Sequence, residues 1–138
     1  MKIKSMIAAV IAMFFAGSLA FGGTSVIVSK STQTGKLSVD DIKSIFLGQS
    51  KNFPNGERAS PCAHRDSSVS NDFFKAFAGM KAKKAKAKWT KLVFTGRAKK
   101  PQSVQDDEES VEFVNDNDGA ICFVKTGNEG SAKVIGKK

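Results

Sequence analysis

The sequence predicts one small α/β sandwich whose sheet is mixed or largely parallel. Short β-branched runs alternate along the chain with segments whose apolar residues recur at helical spacing, and this alternation is typical of α/β folds. The chain has 138 residues, and the part after residue 22, about 116 residues, is long enough for a single core. It contains no internal repeat and no low-complexity linker. We therefore expect one domain over residues 23–138.

The first strand and helix are predicted by local patterns. TSVIVS is a β-branched run typical of a buried strand. Ser38 precedes apolar residues at helical spacing, and Asp41 adds a capping-box-like start, so we expect a helix that stops at Gly48. After an Asn-Gly turn, RASPCAHR is predicted to form the next strand.

Two further helices are predicted in the middle of the chain. From Ser70, three phenylalanines recur at helical offsets before a break at Gly79, so this face is expected in the core. KAKKAKAKWTKLVF is predicted to form an amphipathic helix. The favoured interpretation buries its apolar stripe and exposes its lysines, and the alternative is a helix that contacts a membrane surface or an acidic partner. The stripe consists of Ala82, Ala85, Trp89, Leu92 and Val93.

The last part of the chain is predicted to contain one helix and two strands. Ser103 is a suitable cap for a helix whose first turns carry four consecutive acids, where the helix dipole favours negative charge. AICFV has the pattern of a second clear strand, and AKVI that of a short one. In sheets of this class ligands bind beyond the carboxyl ends of the strands.

The N-terminus has the features of a secretory signal peptide. Lys2 and Lys4 precede an uncharged, mainly apolar stretch, and small residues follow. That stretch is shorter than the roughly 20 residues that span a bilayer, so we expect cleavage after Ala20 or Gly22. The predicted organisation is a signal peptide at residues 1–22 and a domain in the periplasm at 23–138, with no stable membrane insertion after cleavage.

The composition is strongly basic. The chain carries 22 lysines and arginines against 13 acids, a formal charge of +9. Outside the cytoplasm this charge favours anionic ligands, anionic lipid surfaces or acidic partners, although it also aids solubility alone. The lysines lack the interleaved aromatics of a nucleic-acid surface, so no nucleic-acid partner is expected.

The few cysteines and the single histidine indicate a disulfide and argue against a metal site or a catalytic triad. Cys62 and Cys122 lie in strand-like segments of an exported chain, which predicts a disulfide, and two unpaired buried thiols are the alternative. His64 is the only histidine and has no second ligand at a recognisable spacing, so we expect neither a metal nor a cofactor. No serine has a histidine and an acid at a hydrolase spacing, and an enzyme is therefore not expected.

The predicted ligand site is the polar segment between the strand RASPCAHR and the phenylalanine helix. Its guanidinium, its hydroxyls and the free amides of the helix start are suited to hold one small oxyanion. Its aspartate would orient the arginine or accept a hydrogen bond from a protonated ligand such as hydrogen phosphate. The alternative is a capped helix after a surface loop. The candidate residues are Arg65, Asp66, Ser67, Ser68, Val69 and Ser70.

The stretch LSVDDIKSIFLGQSKNFPNGERASPCAHRDSSVSNDFFKAF resembles the phosphate-binding receptors of ABC transporters. In that family a helix ending Ile-Phe-Leu-Gly, a strand, and an Arg-Ser-Asp-Gly-Ser-Gly-Thr-type loop before a phenylalanine-bearing helix occur in the same order. VEFVNDNDGAICFV is similar to the family's valine-rich helix, glycine turn and strand. The resemblance implies a periplasmic-binding-protein-like fold of type II. Family receptors have two lobes and more than twice this length, so it implies a single lobe.

The resemblance also implies site residues. The family's anion-binding arginine falls on Arg65, its loop aspartate on Asp66, and its following donors on Ser68, the amide of Val69, and Ser70. The loop is one residue shorter here, and valine replaces a glycine, which obstructs close approach of the backbone.

Two functions remain open. The first is a periplasmic solute-binding module for phosphate or a similar oxyanion, completed by an ABC permease, a second lobe or a homodimer partner. The second is a non-transport interaction or regulatory module that docks its basic helix onto an acidic or membrane partner. A lone lobe with three charge-assisted hydrogen bonds is expected to bind at about millimolar affinity or weaker.

Overall fold

The computed structural model describes residues 23–138, so the predicted signal peptide lies outside the described residues. Strands and helices alternate as expected. The strands are β1 (Thr24–Val28), β2 (Ser60–His64), β3 (Gln102–Val104), β4 (Ala120–Lys125) and β5 (Lys133–Lys137). The helices are α1 (Val39–Phe46), α2 (Ser67–Ala78), α3 (Ala82–Phe94) and α4 (Asp107–Asp116).

The strands form one mixed sheet in the order β3-β2-β4-β1-β5. β2 runs parallel to both β3 and β4, whereas β1 is antiparallel to β4 and β5. All five residues of β1 and the first five of β4 are buried, because these β-branched and apolar runs occupy the centre of the sheet. The predicted α/β sandwich with a mixed sheet is confirmed.

An aromatic cluster joins the helices to the sheet. The Phe73 ring stacks on Phe123 of β4 with centroids 3.9 Å apart, and Phe46 at the end of α1 packs edge-on against Phe73 at 4.7 Å. Phe77 is also buried, while Phe74 is half-buried. The phenylalanine face of α2 therefore lies in the core, as predicted, apart from one side of Phe74.

The predicted capping box of α1 is confirmed. The Ser38 hydroxyl accepts a hydrogen bond from the Asp41 amide at 3.1 Å, and the Asp41 carboxylate accepts one from the Ser38 amide at 3.3 Å. The helix ends before Gly48, whose φ of 75° lies in the left-handed region that glycine adopts without strain.

One predicted helix start is wrong, and another that the sequence left open is determined by a cap. Helix α2, whose phenylalanine spacing was counted from Ser70, begins at Ser67 because Asp66 caps it. Ser103 caps no helix: it lies in β3, opposite Ala63 of β2, and Asp106 caps α4 by accepting from the Glu109 amide at 2.9 Å. Pairing with β2 is a non-local interaction that overrides the local capping preference of serine.

The predicted burial of the α3 stripe is only partly correct. Ala85 is fully buried, but Trp89, Leu92 and Val93 are half-buried, and Phe94 is 91% exposed. The cause is the position of the helix, which packs mainly on α2 rather than on the sheet. The indole N–H of Trp89 donates to the Phe46 carbonyl and holds α3 to the end of α1.

The predicted disulfide is confirmed. Cys62 of β2 and Cys122 of β4 lie on adjacent parallel strands with their Cα atoms 5.2 Å apart, and their sulfurs are bonded. Both side chains are buried. Among the described helices, none combines the length and apolar character needed to cross a membrane.

Candidate functional site

A cavity of about 790 Å³ is bounded by α3, the start of α2 and the β2–β3 end of the sheet. The cavity is present because α3 packs against α2 rather than against the sheet, which leaves this part of the sheet uncovered. Ala63 and Ser103 lie side by side on β2 and β3, line the cavity, and are both exposed. An exposed residue on the inner strand β2 marks the space that a covering element would otherwise fill.

Most of the cavity wall is apolar. Phe46, Phe74 and Phe123 contribute from the aromatic cluster, and Trp89 and Val93 contribute from α3. Phe94 lies at the open side and is almost fully exposed. The apolar stripe of α3 that is missing from the core therefore faces this cavity.

The polar part of the wall is basic. Among the described residues that line the cavity, four are cations and none is a carboxylate, and the cations are Arg65, Lys83, Lys86 and Lys100. They come from three different parts of the fold: the end of β2, helix α3, and the segment that leads into β3. Cations gathered without compensating acids produce a positive potential that attracts anions.

Arg65 is positioned by the strand that precedes it. Its amide donates to the Val104 carbonyl at 2.8 Å, which extends the β2–β3 pairing by one residue. The side chain is exposed and lines the cavity, and within residues 23–138 no carboxylate forms an ion pair with its guanidinium. The guanidinium therefore keeps its donors for a ligand.

Asp66 serves as the helix cap. Its carboxylate accepts hydrogen bonds from the amides of Ser68 at 3.0 Å and Val69 at 3.3 Å. Amides at this helix start were predicted to hold a bound anion, but these two donate to the Asp66 carboxylate, as in the capped-helix alternative. Neither Ser68 nor Val69 lines the cavity.

The three predicted serines differ in their environment. Ser67 is exposed at the first helical position of α2 and lines the cavity together with Arg65. Ser70 also lines it, but its hydroxyl is buried and donates to the His64 carbonyl at 2.8 Å. Arg65 and Ser67 thus line the same cavity and are both accessible to a ligand, whereas the Ser70 hydroxyl bonds α2 to the end of β2.

His64 positions the segment that carries Arg65. Its Nδ1 accepts the Asp66 amide at 3.2 Å, so the proton of the neutral ring lies on Nε2, which donates to the Asp107 carboxylate at 2.8 Å. The same carboxylate accepts from the Lys125 amide at 3.1 Å and from the Asn128 side chain at 2.8 Å. His64 is therefore connected to α4 and to the end of β4.

Sequence reasoning missed part of this site. It treats His64 as isolated, because its partner Asp107 is 43 residues away and no local pattern indicates the pair. It treats the lysines of α3 as a solvated or docking face, although Lys83 and Lys86 share one side of a helix at a spacing of three. Within residues 23–138 no group of three or more metal-ligating side chains is close enough to hold an ion.

No family model matches the sequence, and no curated protein is significantly similar to it. Solved structures are similar in fold. An ABC-type phosphate transport receptor from Vibrio cholerae has a TM-score of 0.61 and 18% identity, and the match covers 82% of this chain and 45% of the receptor. A protein described as a phosphate ABC transporter substrate-binding protein, with bound phosphate, from Clostridium perfringens also has a TM-score of 0.61 and 18% identity, over 82% of this chain and 44% of its own.

PstS from Borrelia burgdorferi is similar as well, with a TM-score of 0.53 and 13% identity over 83% of this chain and 47% of its own. This chain therefore spans less than half the length of the proteins that it resembles, which is consistent with a single lobe. The resemblance to phosphate-binding receptors noted in the sequence is confirmed at the level of the fold. The structural neighbours are named as receptors and binding proteins rather than as enzymes.

Proposed function

We propose that this protein is a solute-binding lobe that takes phosphate or a similar oxyanion beside Arg65. One observation carries the proposal: an unpaired arginine faces a cavity whose lining contains four cations and no carboxylate among the described residues. The cavity also includes the carboxyl end of the parallel strand β2, through His64 and Arg65, and α/β sheets bind ligands at such strand ends. The fold shared with phosphate-binding proteins supports the same ligand class.

Arg65 and Ser67 provide the directed contacts in this proposal. The planar guanidinium donates two parallel hydrogen bonds to two oxygens of a tetrahedral anion. The Ser67 hydroxyl donates a third from the first turn of α2, where the helix dipole also favours negative charge. Lys83, Lys86 and Lys100 add positive charge on long side chains that adjust to the ligand.

The expected affinity of this chain alone is weak. Three charge-assisted hydrogen bonds at about 1.5–3 kcal/mol each give roughly 5–9 kcal/mol, and association costs at least about 4 kcal/mol. The difference is at most about 5 kcal/mol, which corresponds to a Kd of about 0.2 mM or weaker and thus to affinity in the millimolar range. Tighter capture would require a second surface over the cavity, supplied by an ABC permease, a second lobe or a homodimer partner.

Asp66 sets the expected selectivity. Its carboxylate caps the helix through Oδ1, and Asp66 is not among the residues that line the cavity, so we do not expect it to accept a hydrogen bond from hydrogen phosphate bound there. The described charged groups of the site are then all donors, and only neutral groups such as the Ser67 hydroxyl can accept a hydrogen bond from the ligand, which separates protonated from unprotonated tetrahedral anions weakly. We therefore expect sulfate to compete with phosphate at similar concentrations.

Location in the periplasm after removal of residues 1–22 belongs to the same proposal. The Cys62–Cys122 disulfide supports it, because such bonds persist in oxidising compartments. Intact-mass measurement of the protein from a periplasmic extract tests it. We expect a chain that begins after Ala20 or Gly22, and an uncut chain that stays in the cytoplasm would contradict this part.

Titration with phosphate, followed by amide NMR shifts at constant ionic strength, tests the binding proposal. We expect shifts clustered on residues 64–68 and around Lys83, Lys86 and Lys100. Arg65→Ala should weaken binding at least about tenfold, the value of one charge-assisted bond. Arg58→Ala is the matched control, since it removes the same charge from an exposed arginine outside this cavity. Equal losses in both variants, or shifts spread over all lysines, would refute a specific site.

A docking module is the second candidate function, and the exposure of Phe94 favours it. This aromatic ring is 91% exposed at the end of the lysine-rich helix α3. Aromatic side chains, including phenylalanine, are enriched in protein interfaces relative to the rest of the surface. An acidic partner captured through this helix should be released by salt and by Phe94→Ala, whereas Arg65→Ala should leave capture unchanged.

A further inference from the structure

We infer that the ligand of this cavity is an organic oxyanion, a phosphate monoester or phosphonate with an aryl or short alkyl group, rather than the bare inorganic ion. The anionic end of this ligand rests on the function proposed above. The apolar end rests on a separate observation, the size and chemistry of the remaining cavity wall.

The cavity is much larger than an inorganic anion requires. A tetrahedral oxyanion occupies roughly the space of four waters, about 120 Å³. The cavity has a volume of about 790 Å³, within the range of about 300–1,000 Å³ that is typical of sites for organic ligands. Most of the space therefore lies beyond the reach of an ion held by Arg65 and Ser67.

The wall of the remaining space is suited to a ring or an alkyl chain. Phe74 and Trp89 are only half-buried, whereas Phe123 at the base is already buried in the core. Ala63 is exposed at the floor, although its strand lies inside the sheet. Apolar surface of this kind is unfavourably exposed to water, and an apolar group of a ligand would cover it.

The positive charge of the cavity lining indicates that the ligand also has an anionic group. Arg65, Lys83, Lys86 and Lys100 all contact the same cavity, and no described lining residue is acidic. An uncharged apolar compound would leave these cations without a partner, and a bare anion would leave the half-buried rings of Phe74 and Trp89 uncovered. A molecule with one anionic and one apolar end satisfies both, which is the charge complementarity on which the inference depends.

Comparison of phenylphosphonate, methylphosphonate and inorganic phosphate by NMR titration tests the inference. The first two carry the same anionic group and differ in the apolar group. Removal of roughly 60–90 Å² of ring surface from water predicts that phenylphosphonate binds roughly 10- to 50-fold more tightly than methylphosphonate. Benzyl alcohol, which has the ring without the charge, should show no saturable binding.

Ala63→Phe provides the matched variant. Ala63 is exposed and lines the cavity, so a larger side chain fills the floor without removing an existing packing contact. It should abolish the advantage of phenylphosphonate and leave the affinity for inorganic phosphate within about twofold. Ser103→Phe fills the same floor from the neighbouring strand and serves as the second variant if Ala63→Phe unfolds.

The outcomes separate the inference from the proposed function. If phosphate binds beside Arg65 but the phenyl group gives less than about a threefold advantage, the inference is wrong and the proposed function stands. If none of the three anions binds, or if Arg65→Ala has no effect on them, both are wrong. An aryl advantage that persists in both filled-floor variants would place the ring elsewhere and would also overturn the inference.

Discussion

Reduction of the Cys62–Cys122 disulfide is expected to lower the free energy of unfolding by about 4 kcal/mol. The two cysteines are 60 positions apart, and a cross-link that closes a loop of this length restricts the unfolded chain by roughly that amount in the loop-entropy model. A small domain has about 5–15 kcal/mol of stability in total, so this loss would remove a large part of it. For a domain of this size it corresponds to a decrease in Tm of roughly 15 °C.

Guanidinium denaturation of the oxidised and the reduced protein measures this effect. Because both cysteines are buried, the protein must be unfolded before it is reduced and then refolded in reductant. The reduced wild type is preferable to a variant with substituted cysteines, because its buried side chains are otherwise unchanged. The slope of the transition should also increase, because the reduced unfolded chain exposes more surface. Free energies that agree within about 1 kcal/mol would refute the loop-entropy reasoning.

Three further predictions concern stability. Asp66→Ala should cost about 1 kcal/mol through loss of the α2 cap, and Asp66→Asn should cost less, as chemical denaturation will measure. Gly119→Ala should cost at least about 2 kcal/mol, because φ is 80° and a Cβ would lie 2.5 Å from the Arg58 carbonyl oxygen; Gly35→Ala, with open space around it, is the control. Burial raises the pKa of Glu129, but the hydrogen bond from Ser25 and those from backbone amides, with a nearby lysine, outweigh it and leave that pKa below its usual range. The ionised Glu129 therefore stabilises the fold above the pKa that it has in the unfolded chain, and this stabilisation is lost as the pH falls through its lower pKa in the folded protein. In denaturation measurements, the wild type should lose its stability advantage over Glu129→Gln on acidification below about pH 4.3. An advantage that stays constant with pH would contradict this.

Features determined by neighbouring residues were predictable from the sequence. The capping box at Ser38 and Asp41 follows from a spacing of three, and the buried strand β1 follows from its β-branched run. Features determined by distant residues were not. Ser103 lies in a strand because Ala63 pairs with it, and the apolar stripe of α3 faces a cavity because the helix packs on α2. Local patterns indicate that a face is apolar, but not what covers it.

The residues of the candidate site also differ in whether neighbouring sequence or the tertiary fold places them there. Arg65 and Ser67 were predicted because a strand end, a guanidinium and a helix start are consecutive in the sequence. Lys100 and the α3 lysines were not, because only the tertiary fold brings them to the same cavity. A capped helix was an alternative interpretation of this segment, but it did not identify Asp66 as the cap, which the structure shows.

A crystal structure of the protein with 4-bromophenylphosphonate would show where both ends of the ligand bind, since the bromine is located by its anomalous signal. We expect the phosphonate within hydrogen-bond distance of the Arg65 guanidinium and the Ser67 hydroxyl, with the bromine over Ala63 on the cavity floor. Phosphonate density at another surface, or an empty cavity at saturating ligand, would contradict it.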